Sequence, residues 1–280
     1  DASVKQIIDT AVRYDAVVKS LELVQDSFVE RLADSMRIVI KPDFFFTKHG
    51  MSTSVDAVRA VLDFILEFTN KEITIAEGLY DGGNINKVFH NAQLHELHDD
   101  YGIKYVDLNK DEFVTIRLGA DALSLASGSS LSVRVAKTII NSDFRVSLAV
   151  PKILRGNYHS AMANLALGSV VSNAKTLAKN DKAKIISSRH SAGAIAEILK
   201  VARPSLAVVD GFESVAGKRS LETNFCVASA DGVAADAVAA AALGSRLKKK
   251  IPKQKYLELC QKAGLGQSSI AKIRLLGEKL

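Results

Sequence analysis

The sequence contains no tryptophan, and aromatic residues make up only 6% of its 280 residues. Proteins that bind single-stranded nucleic acid stack bases on aromatic side chains, so this scarcity argues against such a binder. The chain has two cysteines, Cys226 and Cys260, which lie far apart in sequence. A disulfide framework, an iron–sulfur cluster and a structural zinc site all require more thiols. We therefore expect a reducing, cytoplasmic location.

Long hydrophobic runs are also missing. No apolar stretch is long enough to span a bilayer, and the first residues show no signal-peptide pattern, so we expect no membrane association. The formal net charge is +6, and much of the basic excess lies in one segment, consisting of Arg246, Lys248, Lys249, Lys250, Lys253 and Lys255. Lysines are suited to a helix C-terminus, so the segment is typical of a solvated helix end rather than of a nucleic-acid contact.

Short runs rich in Val, Ile and Leu recur along the chain, and each stops at charged or glycine-containing residues. The four clearest are Arg37–Ile40, Ile73–Ala76, Val146–Val150 and Leu206–Val209. Apolar runs without alternation are typical of strands that are buried on both faces of a parallel sheet. Helical patterns separate most of them. The sequence therefore predicts an α/β fold, with a mostly parallel or mixed sheet flanked by helices, in one unit or in two closely packed lobes.

The apolar spacing at the start of the chain predicts amphipathic helices. We expect residues 1–34 to form N-terminal helices packed on a main α/β domain of residues 35–280. Further along, the pattern predicts a helix from Tyr158 to Val171 and a closing strand at Ile270–Leu276. The run Val133–Ile140 fits a strand or a helix, because period alone does not separate short apolar runs.

Polar residues follow each of the four predicted strands. In open α/β sheets, ligands bind in the crevice beyond the carboxyl ends of the strands. We therefore expect the following residues to gather along one rim: Lys41, Asp43, Glu77, Lys152 and Asp210. The two lysines can hold a carboxylate or a phosphate as point charges. They can equally form buried ion pairs with the neighbouring carboxylates, and the sequence leaves both alternatives open.

His159 lies between a strand end and the segment that carries Asn164. It can face the crevice as a proton shuttle or a ligand, or it can be a helix-start histidine bonded to the backbone. Arg155 in the same loop can orient an oxyanion. The candidate catalytic residues are His159, Lys152, Glu77 and Asp210. The candidate ligand-binding residues are Lys41, Asp43, Arg155 and Asn164. No metal ligand is assigned.

Two aspartates fall near an alanine-rich helical pattern. Asp231 stands where a helix from Gly232 needs an N-cap. Asp236 lies further inside that helix, among alanines, where an unpaired charge costs several kcal/mol. We therefore expect Asp236 to contact a lysine of the rim or an ordered polar network.

These motifs, taken in order, resemble the domain-of-unknown-function family 362. The matching residues are Lys41-Pro42-Asp43, Thr53, Ala76-Glu77-Gly78, Pro151-Lys152, His159, Asn164-Leu165 with Gly168, Val209-Asp210-Gly211, and Asp231 with Asp236. The chain departs from the pattern at Asp43, where the family has Asn, and at Ala163, where it has Lys. The resemblance implies an α/β fold that is distantly similar to the nickel-pincer lactate racemase superfamily, and similarity of fold alone is a weak argument for function.

Two functions fit these observations. The first is an enzyme that acts on a small carboxylate-bearing molecule, with a small anionic molecule as its partner. The alternative is a non-catalytic ligand-binding or accessory protein that retains the scaffold, and the missing Lys at position 163 favours it. The sequence assigns neither a cofactor nor an oligomeric state.

Overall fold

The computed structural model describes residues 2–44, 52–80, 82–119, 131–154, 156–172, 182, 185, 191–252 and 254–277. The strands in this part of the chain are β1 (Ile38–Lys41), β2 (Ile73–Glu77), β3 (Lys104–Asp107), β4 (Phe113–Leu118), β5 (Leu131–Ala136), β6 (Phe144–Ala149), β7 (Lys152–Leu154), β8 (Asn157–His159), β9 (Leu206–Asp210), β10 (Glu213–Ala216), β11 (Arg219–Glu222) and β12 (Cys226–Ser229). The helices are α1 (Ala2–Glu22), α2 (Val29–Ala33), α3 (Val55–Leu66), α4 (Ile85–Asn91), α5 (Glu96–Tyr101), α6 (Lys137–Ile140), α7 (Ala161–Gly168), α8 (Ser191–Ala202), α9 (Gly232–Leu247) and α10 (Lys255–Lys262).

The centre of the molecule is a sheet of six described strands in the order β12-β9-β6-β1-β2-β3. Strands β9, β6, β1, β2 and β3 run parallel, and β12 pairs antiparallel to β9 at one edge. Every residue of β1 is buried, as expected for a central strand of a parallel sheet. The predicted α/β class with a mostly parallel sheet is confirmed.

Helices cover both faces of this sheet. On one face, α3 packs against α1 and buries Val58, Val61 and Ile65 completely. Ser54 starts α3 by accepting a hydrogen bond from the amide of Asp56 at 3.2 Å. On the other face lie α7, α8 and α9, with α10 packed against α8. Each fully buried branched side chain contributes about 1.5–3 kcal/mol to folding.

A smaller sheet of four described strands extends from the end of β6 and has the order β11-β10-β7-β8. The prediction of a helix from Tyr158 is wrong, since Asn157–His159 forms β8 and α7 starts only at Ala161. Tyr158 is buried against the core by its pairing with Ile153 across β7 and β8. A three-residue strand is too short to show an alternating pattern, so the apolar positions that follow it suggested a longer helix.

Two further predictions concern short apolar runs. The run Val133–Ile140, predicted as a strand or a helix, is a strand in its first half and a helix in its second, because β5 ends at Ala136 and α6 starts at Lys137. The predicted closing strand at Ile270–Leu276 is wrong. Ile270–Lys272 forms a 3₁₀ turn, and the side chains of Leu275 and Leu276 are exposed. The apolar residues of this segment are therefore not evidence for a further strand of the sheet.

The two aspartates of α9 have the roles of a cap and a buried network. Asp231 caps the helix, accepting from the amides of Val233 and Ala234. Asp236 is fully buried, and its carboxylate accepts hydrogen bonds from the amides of Ala161 at 2.8 Å and Met162 at 3.1 Å, and from the hydroxyl of Tyr256 at 2.8 Å. The expected polar network is thus present, and it ties α9 to the start of α7 and to α10.

No helix among the described residues has both the length and the apolar character needed to cross a membrane.

Asp236 makes the folding stability depend on pH. Burial raises the pKa of its carboxyl from 3.8 to about 7, although the three donors oppose that rise. The folded chain therefore holds this proton more tightly than the unfolded chain. We expect the free energy of unfolding to fall between about pH 4 and pH 7, by on the order of 4 kcal/mol, and to change little above pH 7 through this group. Urea titrations of the wild type and of Asp236→Asn across pH 4–8 measure the difference, and parallel pH profiles would contradict the assignment.

Candidate functional site

A cavity of about 390 Å³, called the site cavity below, lies beyond the carboxyl ends of β1 and β2. It is bounded by these strand ends, by α7 and by the β7–β8 hairpin. Six of the eight sequence-predicted site residues line it, namely Lys41, Asp43, Glu77, Lys152, His159 and Asn164. The sheet brings them together because Lys41 and Glu77 end neighbouring parallel strands, and Lys152 follows the next strand, β6.

Lys41 is held at the floor of the site cavity by three acceptors. Its Nζ forms an ion pair with Glu77 Oε1 at 2.7 Å and donates to Asn164 Oδ1 at 2.6 Å and to the carbonyl of Pro42 at 3.0 Å. Glu77 in turn accepts from the amides of Phe44 and Gly78. The pair is almost completely buried, and its hydrogen bonds satisfy both charged groups.

Gly168 near the end of α7 makes room for the Lys41 side chain. A Cβ atom at this position would lie 1.7 Å from Lys41 Cε, which is a severe overlap. A side chain at position 168 would therefore displace Lys41 from Glu77. This close approach gives a physical reason for the glycine that follows Asn164 in the sequence motif.

Lys182 is a functional candidate that the sequence did not reveal. Its ammonium is buried and donates to the carbonyls of Gly78 at 2.5 Å and Gly168 at 3.4 Å, and the residue lines the site cavity. Position 78 also requires glycine, since a Cβ there would lie 2.4 Å from the Gly168 carbonyl and 2.6 Å from Lys182 Nζ. No motif around Lys182 distinguishes it from the many surface lysines of the chain.

Lys152 forms the second buried ion pair of the site cavity. Its Nζ contacts Asp43 Oδ2, which also accepts from the amide of Val150 at 3.3 Å. The amide of Asp43 donates to Thr53 Oγ1 at 2.8 Å, so the Asp43 backbone is fixed as well. Burial lowers the pKa of Lys152, the positive charge of Lys41 lowers it further, and the attraction of Asp43 opposes both. Burial thus has a larger effect on this ammonium than the attraction of Asp43.

His159 faces Lys152 across the β7–β8 pair. Its Nδ1 is buried and has no hydrogen-bond partner among the described atoms. Burial lowers the pKa of the ring to about 4, the Lys152 charge adds to this, and Asp43 opposes it. At neutral pH the imidazole is therefore uncharged, and its Nδ1 makes no hydrogen bond to any described atom.

Asp210 does not join this group, which corrects the expected single rim. It lines a second cavity of about 210 Å³, where it lies 3.6 Å from Arg13 Nε and where burial raises its pKa. The physical reason is the place of β9 in the sheet: β6 separates it from β1, and the Asp210 carboxylate lies beside Arg13 of α1. Arg155 lies outside the described residues.

The described residues contain no cluster of three or more His, Cys, Asp or Glu side chains that could hold a metal ion. The chemistry the described site offers is that of buried ammonium groups, carboxylates and one neutral imidazole. Together these groups can bind an anion and move a proton.

The Lys152–Asp43 pair gives a prediction for stability. Replacing Lys152 by Met leaves the Asp43 carboxylate buried without its partner, and we expect a loss of about 3–5 kcal/mol in the free energy of unfolding. Combining Lys152→Met with Asp43→Asn removes both charges, and most of the loss should be recovered. Urea denaturation of the wild type, both single variants and the double variant measures the coupling.

A surface pair supplies the matched control. Lys137 and Glu112 form an ion pair in solvent, so Lys137→Met should change the free energy of unfolding little. A double variant of the buried pair that is no more stable than Lys152→Met alone would contradict the pairing.

The protonation of His159 is the second prediction for the site. Its ring should take up a proton near pH 4 in the folded protein and near its ordinary 6.5 in the urea-unfolded protein. Because the unfolded chain then binds the proton more tightly, this residue should reduce folding stability as the pH falls from 6.5 toward 4. NMR of the ring resonances, assigned with His159→Gln, measures both values. A midpoint near 6.5 in the folded protein would contradict the buried environment.

A comparison with the curated proteins gives no match. Among solved structures, the lactate racemase apoprotein from Thermoanaerobacterium thermosaccharolyticum is similar, with 13% sequence identity and a TM-score of 0.44. That similarity covers 78% of this chain and 52% of the racemase chain, so this chain spans about half of the racemase's length. The family model described as a domain of unknown function (DUF362) matches residues 38–241, which is most of the chain and includes all the residues that line the site cavity. The resemblance noted from the motifs is therefore confirmed, and the chain belongs to the DUF362 family.

Proposed function

We propose that the site cavity binds a small carboxylate-bearing molecule and that the protein is an enzyme in which His159 accepts a proton from it. One observation carries the proposal. A neutral imidazole, whose buried Nδ1 has no partner among the described residues, lines a cavity beside the ammonium of Lys152. Buried polar atoms normally have hydrogen-bond partners, and an exception in a cavity is typical of a place that a ligand completes.

The charge of the described cavity lining favours an anion. Four lysines line the site cavity against two carboxylates, and three of those lysines are buried. Burial lowers the pKa of Lys152 even beside Asp43, so a further anion near the ammonium favours its charged form. An incoming carboxylate can accept a charge-assisted hydrogen bond from this ammonium.

The bound anion also adjusts the basicity of His159. Burial and the Lys152 charge hold the pKa of the ring near 4, which makes the imidazole a weak base at neutral pH. A carboxylate nearby favours the imidazolium and moves that pKa back toward neutrality, where a general base is most effective. Lys152 is placed to stabilise the negative charge that develops on the carboxylate as the proton leaves. The corresponding reaction class is removal of a proton from the carbon next to the carboxylate.

Two observations favour the alternative, a protein that binds a ligand and catalyses no reaction. Lys41, Glu77, Lys152 and Asp43 are already bonded to one another in two ion pairs, which is also what a purely supporting network requires. Ala163 lines the cavity where the family motif has a lysine, so a charged group of the pattern is missing here. Binding of a carboxylate without any turnover would select this alternative.

Binding and proton removal are measured separately. We expect members of a panel of small carboxylates to raise the melting temperature and to give heat in calorimetry. His159→Gln should keep binding within a few fold, because the amide still fills the ring's place, but it should abolish exchange of the ligand's α-hydrogen in D₂O followed by NMR. The double variant Lys152→Met with Asp43→Asn should lose binding while remaining folded.

Lys200→Met serves as the control, since Lys200 is a half-exposed lysine that does not line the site cavity. It should bind and exchange like the wild type. If no carboxylate of the panel shifts the melting temperature or gives heat, the proposed function is wrong.

A further inference from the structure

The β7–β8 hairpin builds one wall of the site cavity in two rows. Lys152 pairs with His159 at its base, and Leu154 pairs with Asn157 further out. All four residues line the cavity. Two residues of extended chain advance about 7 Å, so the second row lies about that far beyond the charged first row. The residue between them, Ile153, faces away and packs against the core.

Helix α7 also has a polar residue near the charged floor of the site cavity and an apolar residue further out. Asn164, which bonds to Lys41, lines the site cavity, and Leu167 lines it almost one turn later along the helix. Leu154 supplies a second branched apolar side chain from the hairpin, and Phe44 supplies an aromatic one. Most of the cavity surface is carbon, because the charged heads at the floor are turned toward one another in their ion pairs.

The turn between β10 and β11 lies at the outer end of this wall. The amide of Gly217 donates to the carbonyl of Ile153 at 2.9 Å, and Gly217 and Lys218 both line the site cavity. The cavity thus extends from a charged floor, past Leu154, to the exposed Lys218. Its volume of about 390 Å³ falls in the range of about 300–1,000 Å³ that is typical of sites for drug-sized ligands. A carboxyl group alone would leave most of this space unfilled.

We propose that the ligand is an amphipathic carboxylate, whose anionic head binds at Lys152 and His159 and whose apolar body of several carbons packs along Leu154. This inference rests on the proposed function and names the substrate class of the same site. Leu154 is then the residue that determines specificity for the length of the apolar body. A compact acid of two or three carbons uses only the floor and binds weakly.

A series of straight-chain carboxylates from acetate to octanoate, measured by calorimetry, tests the inference. In the wild type we expect affinity to rise about fourfold per buried methylene until the chain reaches the exposed end of the cavity. Leu154→Ala should reduce this gain for the longer acids and leave acetate unchanged. Leu154→Trp, which narrows the cavity beyond the first row, should exclude the longer acids and still bind acetate.

Ile153→Ala is the matched control, since it removes a branched side chain from the same strand on the face turned away from the cavity. Its dependence on chain length should equal that of the wild type. Circular dichroism of each variant checks that it is folded, and the two Leu154 substitutions act in opposite directions on cavity volume, so one folded variant is sufficient for the test.

The outcomes separate this inference from the function on which it rests. Equal affinity for acetate and octanoate, or a length dependence that Leu154→Ala leaves intact and Ile153→Ala abolishes, would overturn the inference and leave carboxylate binding in place. Absence of binding for every acid in the series would refute the proposed function, and the inference with it.

Discussion

The structure around the site depends on the buried ion pair between Lys41 and Glu77. It joins the ends of two neighbouring parallel strands, and the amide of Asn164 fastens α7 to the same ammonium. Charges buried this deeply are stable only when their remaining hydrogen bonds are satisfied, and here backbone amides and a carbonyl satisfy them. Lys41, together with Gly168, which leaves room for its side chain, therefore fixes the position of α7 and with it one boundary of the site cavity.

The second ion pair, between Lys152 and Asp43, differs in the number of hydrogen bonds that support it. Among the described residues, the charged side-chain atoms of the Lys41 pair make four further hydrogen bonds, whereas those of the Lys152 pair make one, from the amide of Val150 to Asp43. His159, opposite Lys152, has no hydrogen-bond partner at Nδ1 among the described atoms. In the described part of the chain, the polar groups of the hairpin side thus have fewer hydrogen bonds than those at the ends of β1 and β2. This asymmetry is the physical basis for placing the reacting end of a ligand at the hairpin.

Much of this arrangement follows from the sequence by simple rules. Continuous apolar runs predicted the parallel strands, and the rule that ligands bind at their carboxyl ends brought Lys41, Glu77 and Lys152 together. Asp231 was recognisable as a helix cap from its place before an apolar helical pattern. These features depend on residues close together in the chain, or on a general property of open sheets.

Other features depended on information that the sequence pattern does not contain. Asp210 ends its strand as Lys41 does, but the order of the strands in the sheet cannot be read from the apolar runs, and Asp210 lines a separate cavity beside Arg13. His159 lies in a strand too short to show a period. Lys182 reaches the cavity from a segment without a recognisable motif, and only its contacts with Gly78 and Gly168 reveal it.

The wide spacing of the site residues along the chain has a consequence for how the protein is made. Lys41 bonds to a residue 123 positions later, and Asp43 pairs with one 109 positions later. Contacts of such high contact order form late in folding, since the entropy of closing long loops must be overcome before they contribute. During synthesis, the ammonium of Lys41 and the carboxylate of Asp43 therefore remain hydrated until α7 and β7 emerge from the ribosome. The cavity is then assembled together with the sheet, since only six of its eighteen described lining residues precede β7 in the chain.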